Sequence, residues 1–152
     1  AALAVADGTA LRPWLLLPGP AGAGKTHLAI CIANYRVENF SATGLAPALF
    51  ANIPEMLGEL RESIMDDFER KIQNYMNCPL LILDDLGAER DTPFAIEQIY
   101  RIINHRYISR LPMVVTTNAD RDDLDTRIRS RLNDTNMDLV TVCPMNLPDI
   151  RS

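Results

Sequence analysis

Short apolar runs alternate along the chain with longer segments in which apolar residues recur at helical spacing. The apolar runs predict five strands: Trp14–Pro18, Ala48–Ala51, Leu80–Asp84, Met113–Thr117 and Leu139–Cys143. The longer segments predict five helices: Gly24–Glu38, Pro54–Asp66, Asp67–Met76, Pro93–Ser109 and Asp125–Leu132. Because strands and helices alternate, the pattern predicts an α/β fold with a five-stranded parallel sheet and helices on both of its faces.

The composition is that of an ordinary globular domain and excludes several other classes of protein. The 152 residues are 47% hydrophobic and 23% charged. No apolar run approaches the roughly 18 residues of a membrane span, so we expect no membrane partner. A net charge of −5 argues against binding nucleic acid by bulk electrostatics, although a local basic surface stays open. Cys31, Cys78 and Cys143 lack metal-ligand spacing and predict buried free thiols in a reducing, cytoplasmic setting.

The segment Gly19–Thr26, with the sequence GPAGAGKT, carries the strongest chemical signal in the chain. It lies between a predicted strand and a predicted helix, which is the context of a phosphate-binding loop. We expect its glycines to let the backbone turn tightly, so that N–H groups and the helix dipole converge on an anion. Lys25 has no evident packing role and would reach the β- and γ-phosphates, while the Thr26 hydroxyl would ligate Mg²⁺.

Two acids follow the third predicted strand, in the sequence Leu-Leu-Ile-Leu-Asp-Asp that ends at Asp85. A strand buried on both faces has no structural use for paired carboxylates at its end, although a turn or helix cap is the plain alternative. In a phosphoryl-transfer site, Asp84 would hold Mg²⁺ and Asp85 would act as the base or orient the attacking water. Aspartate at the second position sets that carboxylate one methylene further back than glutamate would, which favours slow turnover.

Polar and basic residues follow the fourth predicted strand. Asn118 stands at the tip of this strand, where it would contact the γ-phosphate or the water, or would simply form a turn. Arg127, Arg129 and Arg131 then alternate on a short predicted helix. Such a run is usually a solvated basic face, and the functional alternative is an arginine finger offered to a neighbouring subunit.

Several of these segments together resemble the AAA+ ATPases, and more narrowly the DnaC/DnaI-type helicase loaders and their IstB-like relatives. The segments that carry the resemblance are GPAGAGKTHLA, LLILDDLGAER, IEQIYRIINHRY, VVTTN and RIRSRL. These segments cover nearly the whole chain. The combination of LLILDDLGAER with INHRY is far more specific to this family than the glycine-rich loop alone or the pair of aspartates alone. The resemblance implies a P-loop AAA+ three-layer fold without the C-terminal lid. It also implies an ATPase core at residues 1–152, expected to be part of a longer chain with an N-terminal partner-binding region.

The resemblance also assigns site residues, a cofactor and partners. It makes Lys25, Asp85, Asn118 and Arg131 catalytic, and gives Arg127 and Arg129 weaker claims to the finger. The residues expected to bind ATP are Gly19, Gly22, Ala23, Gly24, Lys25, Thr26 and His27, and those expected to hold Mg²⁺ are Thr26 and Asp84. Arg151 matches a further nucleotide contact. The implied partners are a hexameric replicative helicase, single-stranded DNA and further copies of the chain bound through the nucleotide interface.

The segment Pro54–Met76 stands where such loaders carry an additional helix that faces single-stranded DNA. Met56, Leu57, Leu60, Ile64 and Phe68 would form an apolar stripe on it, although an ordinary helix packed on the sheet has the same pattern. Its cations are Arg61, Arg70 and Lys71, so DNA contact here is a weak expectation.

Three other functions compete with helicase loading. An IstB-like transposition helper would use the same chemistry on a different client. A small P-loop kinase would need a phosphoryl acceptor and basic lid residues, whereas the arginines here cluster after the Asn118 strand. An interaction module with an inactive site is disfavoured by the intact set of Lys25, Thr26, Asp84 and Asp85.

Overall fold

A parallel sheet forms the centre of the fold in the computed structural model, which describes residues 1–40, 46–89, 92–134 and 138–146. Its strands are β1 (Trp14–Pro18), β2 (Leu49–Asn52), β3 (Leu81–Leu86), β4 (Met113–Thr117) and β5 (Val140–Val142). They lie in the order β2-β3-β4-β1-β5, and every neighbouring pair is parallel. The carboxyl ends of all the strands therefore lie at one edge of the sheet, as the pattern of apolar runs predicts.

Six α-helices are seen in the described residues: α1 (Ala2–Asp7), α2 (Lys25–Phe40), α3 (Ile53–Glu62), α4 (Met65–Asn77), α5 (Pro93–Ile108) and α6 (Thr126–Leu132). The predicted helices correspond to α2–α6 within a few residues. Helix α5 begins as expected, because the Thr92 side chain accepts a hydrogen bond from the Ala95 N–H at 3.2 Å and Pro93 occupies the first turn. Helix α1 was not predicted, because its few apolar residues are too short a run to show helical periodicity.

Two apolar clusters cover the two faces of the sheet. One is built on Trp14, Leu16, Leu81, Leu83 and Val115 and is closed by helices α3–α6. The other is built on Leu15, Leu17, Ile82 and Val114 and is closed by helices α1 and α2. Successive residues of β1, β3 and β4 point to opposite clusters, which explains why these strands read as continuous apolar runs.

Arg106, in the INHRY segment of α5, holds this helix against the rest of the fold. This side chain is fully buried and donates to the carbonyls of Tyr75 (3.0 Å), Cys78 (2.9 Å) and Pro112 (2.5 Å). The guanidinium thus closes the end of α4 and joins it to the starts of β3 and β4. Burial lowers the pKa of Arg106, and burial raises the pKa of the adjacent Cys78 thiol.

The structure corrects two details of the predicted packing. Helix α3 ends at Glu62, so Ile64 lies at the junction with α4 and is 78% exposed, outside the predicted apolar stripe. Met56, Leu57 and Leu60 are buried as predicted. Of the cysteines, only Cys78 is buried, because Cys31 lies on the outer face of α2. Most of the predicted loop 41–47 lies outside the described residues.

Candidate nucleotide-binding site

The phosphate loop joins β1 to α2 at the carboxyl edge of the sheet. Gly22 and Gly24 have φ angles of 78° and 81°, in the left-handed region that glycine adopts without strain. Helix α2 begins at Lys25, so the positive end of its dipole and its first N–H groups face this loop. An open cavity of about 350 Å³ lies here, lined by Ala21, Gly22, Gly24, Lys25, Thr26, His27, Asp85 and Asn118. Ala23 is buried behind the loop.

Gly19 is required for close packing and not for a turn. Its φ is not positive, unlike that of Gly22 and Gly24. A Cβ at Gly19 would lie 2.2 Å from the carbonyl oxygen of Met145, in the segment that follows β5. This segment is fixed beside the loop, since Met145 N donates to Pro18 O at 2.8 Å and Cys143 N donates to Leu16 O at 2.8 Å.

Lys25 is 5% exposed and folds back over the loop that precedes it. Its Nζ donates to the carbonyl oxygens of Gly19 at 2.8 Å and Pro20 at 2.6 Å. The expectation that this lysine has no packing role is therefore wrong. The same contacts place its ammonium group inside the loop that lines the cavity, where a phosphate would compete with the two carbonyls for it.

Asp84 and Thr26 meet directly, as their predicted shared role requires. The Thr26 hydroxyl donates to Asp84 Oδ1 at 2.9 Å, and the Thr116 hydroxyl donates to the same oxygen at 2.7 Å. Asp84 is 2% exposed. The two hydroxyl oxygens therefore lie beside a buried carboxylate, so that several oxygen atoms are grouped at one point. No group of three or more His, Cys, Asp or Glu side chains suited to a metal is found among the described residues. Mg²⁺ characteristically takes one or two carboxylates together with substrate phosphates, so the Thr26–Asp84 pair fits this ion.

Asp85 lies where β3 leaves its regular pairing with β4. The register between these strands shifts after Leu83, and Asp85 has a φ of 63°, which is uncommon for a residue other than glycine. Its N–H donates to Thr116 Oγ1 at 3.0 Å, and its Oδ2 accepts a long hydrogen bond from Asn52 Nδ2 at 3.5 Å. The irregularity turns the Asp85 side chain toward the cavity while Asp84 stays in the sheet.

Two more of the predicted residues line this cavity. Asn118 follows β4 and lines the cavity opposite the phosphate loop, and His27 lines it from the first turn of α2. A second open cavity of about 440 Å³ adjoins Asp85 and Asn118 and is lined by the segments that follow β3 and β4. Arg151 lies outside the described residues, so its predicted contact stays a prediction.

The arginines of α6 do not line the cavity around the phosphate loop. Arg127 pairs with Glu97 at 3.6 Å, and Arg129 pairs with Asp122 at 3.1 Å. Arg131 instead donates from Nε to Asn104 Oδ1 at 2.9 Å. A role for Arg131 in catalysis therefore requires a second copy of the chain and stays a prediction.

Sequence reasoning missed three residues that shape the site. Thr116 connects the acids of β3 to β4, and it stands in the VVTTN segment two residues before the predicted Asn118. Asn52 ends β2 and caps α3, since its Oδ1 accepts from Glu55 N at 3.3 Å. An asparagine just before Ile-Pro is a recognisable capping signal. Met145 acts through its backbone carbonyl, which no sequence pattern reveals.

The class of protein follows from this arrangement. A phosphate loop between β1 and α2, acids at the end of β3 and a polar residue after β4 define a P-loop protein of the AAA+ type on a β2-β3-β4-β1-β5 sheet. Residues 2–137 match the model of the family described as IstB-like ATP binding protein. The chain belongs to this family.

Two curated relatives illustrate the kinds of protein to which this chain is similar. The chain is 31% identical over 112 residues to the replicative helicase loader DnaI of Bacillus subtilis, covering 72% of this chain and 34% of that protein. It is 32% identical over 119 residues to a putative ATP-binding protein, Rv3427c, in an insertion sequence of Mycobacterium tuberculosis, covering 74% of this chain and 45% of that protein. The chain thus spans between a third and a half of these relatives.

Solved structures share the fold. Domain III of the replication initiation protein DnaA from Thermotoga maritima superposes with a TM-score of 0.78 at 24% identity, covering 97% of this chain and 60% of that one. The DnaC helicase loader superposes with a TM-score of 0.74 at 24% identity, covering 95% and 86%. DnaA bound to AMPPCP and single-stranded DNA gives a TM-score of 0.76 at 16% identity, covering 95% and 45%.

In the described part of this chain, no helix has the length and apolar character needed to cross a membrane.

Proposed function

We propose that the chain is the ATPase core of an AAA+ switch that loads a replicative DNA helicase on single-stranded DNA. The observation that carries the proposal is the cavity where the phosphate loop, Asp85 and Asn118 face one space, with the Thr26–Asp84 pair at its base. The resemblance to the DnaI loader supports the choice of client. The chain spans only part of the length of its relatives, so the identity of the protein that it loads is proposed here and not shown by the comparison.

ATP binding would use the loop and the pair beneath it. The N–H groups of the loop and of the first turn of α2 would surround the phosphates, and Lys25 would exchange its carbonyl partners for phosphate oxygens. Thr26 and Asp84 would hold Mg²⁺, which supplies charge neutralisation at the β- and γ-phosphates when it is bound with ATP.

Hydrolysis would place water between Asp85 and the γ-phosphate. The water oxygen forms a bond to the γ-phosphorus, the bond to the β–γ bridging oxygen breaks, and Asp85 accepts the proton of the water. Asn52 restrains Asp85 from the end of β2, and Asn118 would orient the water or the γ-phosphate from β4. Arg131 of a neighbouring copy would stabilise the charge that develops on the transferred group. We therefore expect hydrolysis to depend on self-assembly.

Single-stranded DNA is expected to bind this domain only weakly by itself. The cations of the α3–α4 hairpin already have partners, since Lys71 pairs with Asp67 at 3.1 Å and Arg70 pairs with the same carboxylate. Arg61 lies 5.2 Å from the centre of the Phe94 ring. The two ion pairs reduce the charge that the hairpin offers to phosphates, whereas Arg61 keeps its charge. The expectation that single-stranded DNA binds at all is supported by the fold that the chain shares with DnaA bound to single-stranded DNA.

An IstB-like transposition helper is the second candidate, favoured by the family itself and by the insertion-sequence relative. Affinity capture with the full-length protein separates the two. Recovery of a hexameric replicative helicase supports the first proposal, and recovery of a transposase supports the second.

Mixing two inactive variants tests the catalytic part of the proposal. Lys25→Ala removes nucleotide binding from one site, and Arg131→Ala removes the finger from another. If the finger acts in trans, mixed assemblies pair an intact site with an intact finger, so part of the ATPase activity returns. Each variant alone and a mixture of Lys25→Ala with a Lys25→Ala, Arg131→Ala double variant are the controls. Absence of recovery in the first mixture contradicts an arginine finger acting between subunits.

A further inference from the structure

Arg131 is held on the surface of its own subunit by the segment Asn104–Tyr107 of α5. Its Nε donates to Asn104 Oδ1 at 2.9 Å, and its guanidinium carbon lies 4.7 Å from the centre of the Tyr107 ring. The ring is itself fixed, because the Tyr107 hydroxyl donates to Asp134 and the ring meets Trp14 edge-on at 6.2 Å. Asn104 and Tyr107 belong to the INHRY motif, to which the proposed reaction assigns no role.

The chemistry of these partners sets Arg131 apart from the other arginines of α6. Arg127 and Arg129 pair with carboxylates, which neutralise their charge, although Arg127 also lies 4.5 Å from the centre of the Tyr100 ring. The contacts of Arg131 are to a neutral amide and to an aromatic face. They restrict where the guanidinium lies without cancelling its positive charge, which is what an anion-binding side chain requires.

The two contacts also constrain different features of the group. The bond from Nε fixes one edge of the planar guanidinium, and the ring of Tyr107 limits the group from one side. Together they restrict a long side chain that otherwise has many rotamers. The Nη edge carries the donors suited to a phosphoryl oxygen.

We infer that Asn104 and Tyr107 are positioning residues that orient Arg131 toward the phosphates bound by a neighbouring copy of the chain. This inference rests on the proposed function and adds the residues that prepare the finger before assembly. Ordering a long side chain in advance removes part of its entropic cost, and a rate effect of about three- to tenfold corresponds to about 0.7–1.4 kcal/mol.

Steady-state ATP hydrolysis by the assembled protein tests the inference. Asn104→Ala and Tyr107→Leu should each lower kcat by about three- to tenfold, whereas KM for ATP and self-assembly should change less than twofold. In an Arg131→Ala background, Asn104→Ala should have no further effect, because a positioning residue acts only through the group that it positions. Tyr107→Phe keeps the ring under Arg131 and should restore most of the rate lost in Tyr107→Leu.

His105→Ala is the matched control on the same helix, because the hydrogen bond of the His105 ring is to Asn77 of α4, at 3.0 Å. It should leave kcat unchanged. An unchanged or higher kcat in Asn104→Ala, with Arg131→Ala inactive, overturns the inference and leaves the proposed function standing. Wild-type hydrolysis in Arg131→Ala overturns the trans-acting finger and the inference with it. A further loss from Asn104→Ala in the Arg131→Ala background assigns Asn104 a structural role only and also overturns the inference.

Discussion

Replacement of Gly19 by alanine tests how the phosphate loop is packed. The added Cβ would lie 2.2 Å from the Met145 carbonyl oxygen, and real Cβ atoms essentially never approach closer than 3.0 Å. Either the loop or the segment that follows β5 must therefore move. Neither can move freely, because Gly19 N donates to Thr117 O at 3.2 Å and Met145 N donates to Pro18 O at 2.8 Å. Forced overpacking of this kind costs about 1–3 kcal/mol.

Gly58 offers a matched control in the same chain. It lies in the interior of α3, and a Cβ there would meet nothing within 4 Å. Gly58→Ala should therefore stabilise the protein by about 0.5–1 kcal/mol, because glycine is a poor helix residue. Urea unfolding measures both variants, and calorimetry with a non-hydrolysable ATP analogue measures binding. Gly19→Ala should lose stability and bind the analogue more weakly, whereas Gly58→Ala should bind it like the wild type. Wild-type stability and binding in Gly19→Ala would refute the packing described for this loop.

Two further predictions separate the acids of β3 and test the buried arginine. Asp84→Asn should weaken Mg²⁺-dependent binding of the ATP analogue, whereas Asp85→Asn should spare binding and slow hydrolysis by about a hundredfold or more. Hydrolysis at the wild-type rate in Asp85→Asn, with DNA and the client present, contradicts its role as the base. Arg106→Met leaves several buried carbonyls without a donor and should cost about 3–5 kcal/mol in urea unfolding. Arg101→Met, which removes a solvent-exposed ion pair with Glu69, should cost much less stability, and equal losses would argue against the role given to Arg106.

The sequence pattern was sufficient for the centre of the sheet because β1, β3 and β4 are buried on both faces. β1 and β4 begin and end where the apolar runs do, and β3 extends past its run because Asp85 and Leu86 continue the strand into the site. The phosphate loop and the acids were also predictable, since their polar residues stand where a structural role is hard to find. Asp84 is an example, because a carboxylate at the end of a buried strand needs partners, and the structure supplies Thr26 and Thr116.

The features that escaped prediction depend on tertiary contacts. Gly19 reads as a turn glycine, yet its role is set by a backbone carbonyl more than a hundred residues away in the chain. Lys25 reads as a surface residue, yet it satisfies two carbonyls of its own loop. Arg127 and Arg131 are alike in sequence and both lie over a tyrosine ring, and only the fold gives Arg127 a carboxylate partner and Arg131 a neutral amide.

The dependence of ATP hydrolysis on protein concentration tests the central claim most directly. The measurement is the turnover rate per subunit with Mg²⁺ and ATP, across a dilution series in which the oligomeric state is followed by light scattering. The account predicts slow turnover in the dilute monomer and a rise on assembly of about a thousandfold or more, the usual contribution of an arginine finger. The same high rate in a demonstrated monomer, or no hydrolysis at any concentration with DNA and client present, would contradict an ATPase switch that works through assembly.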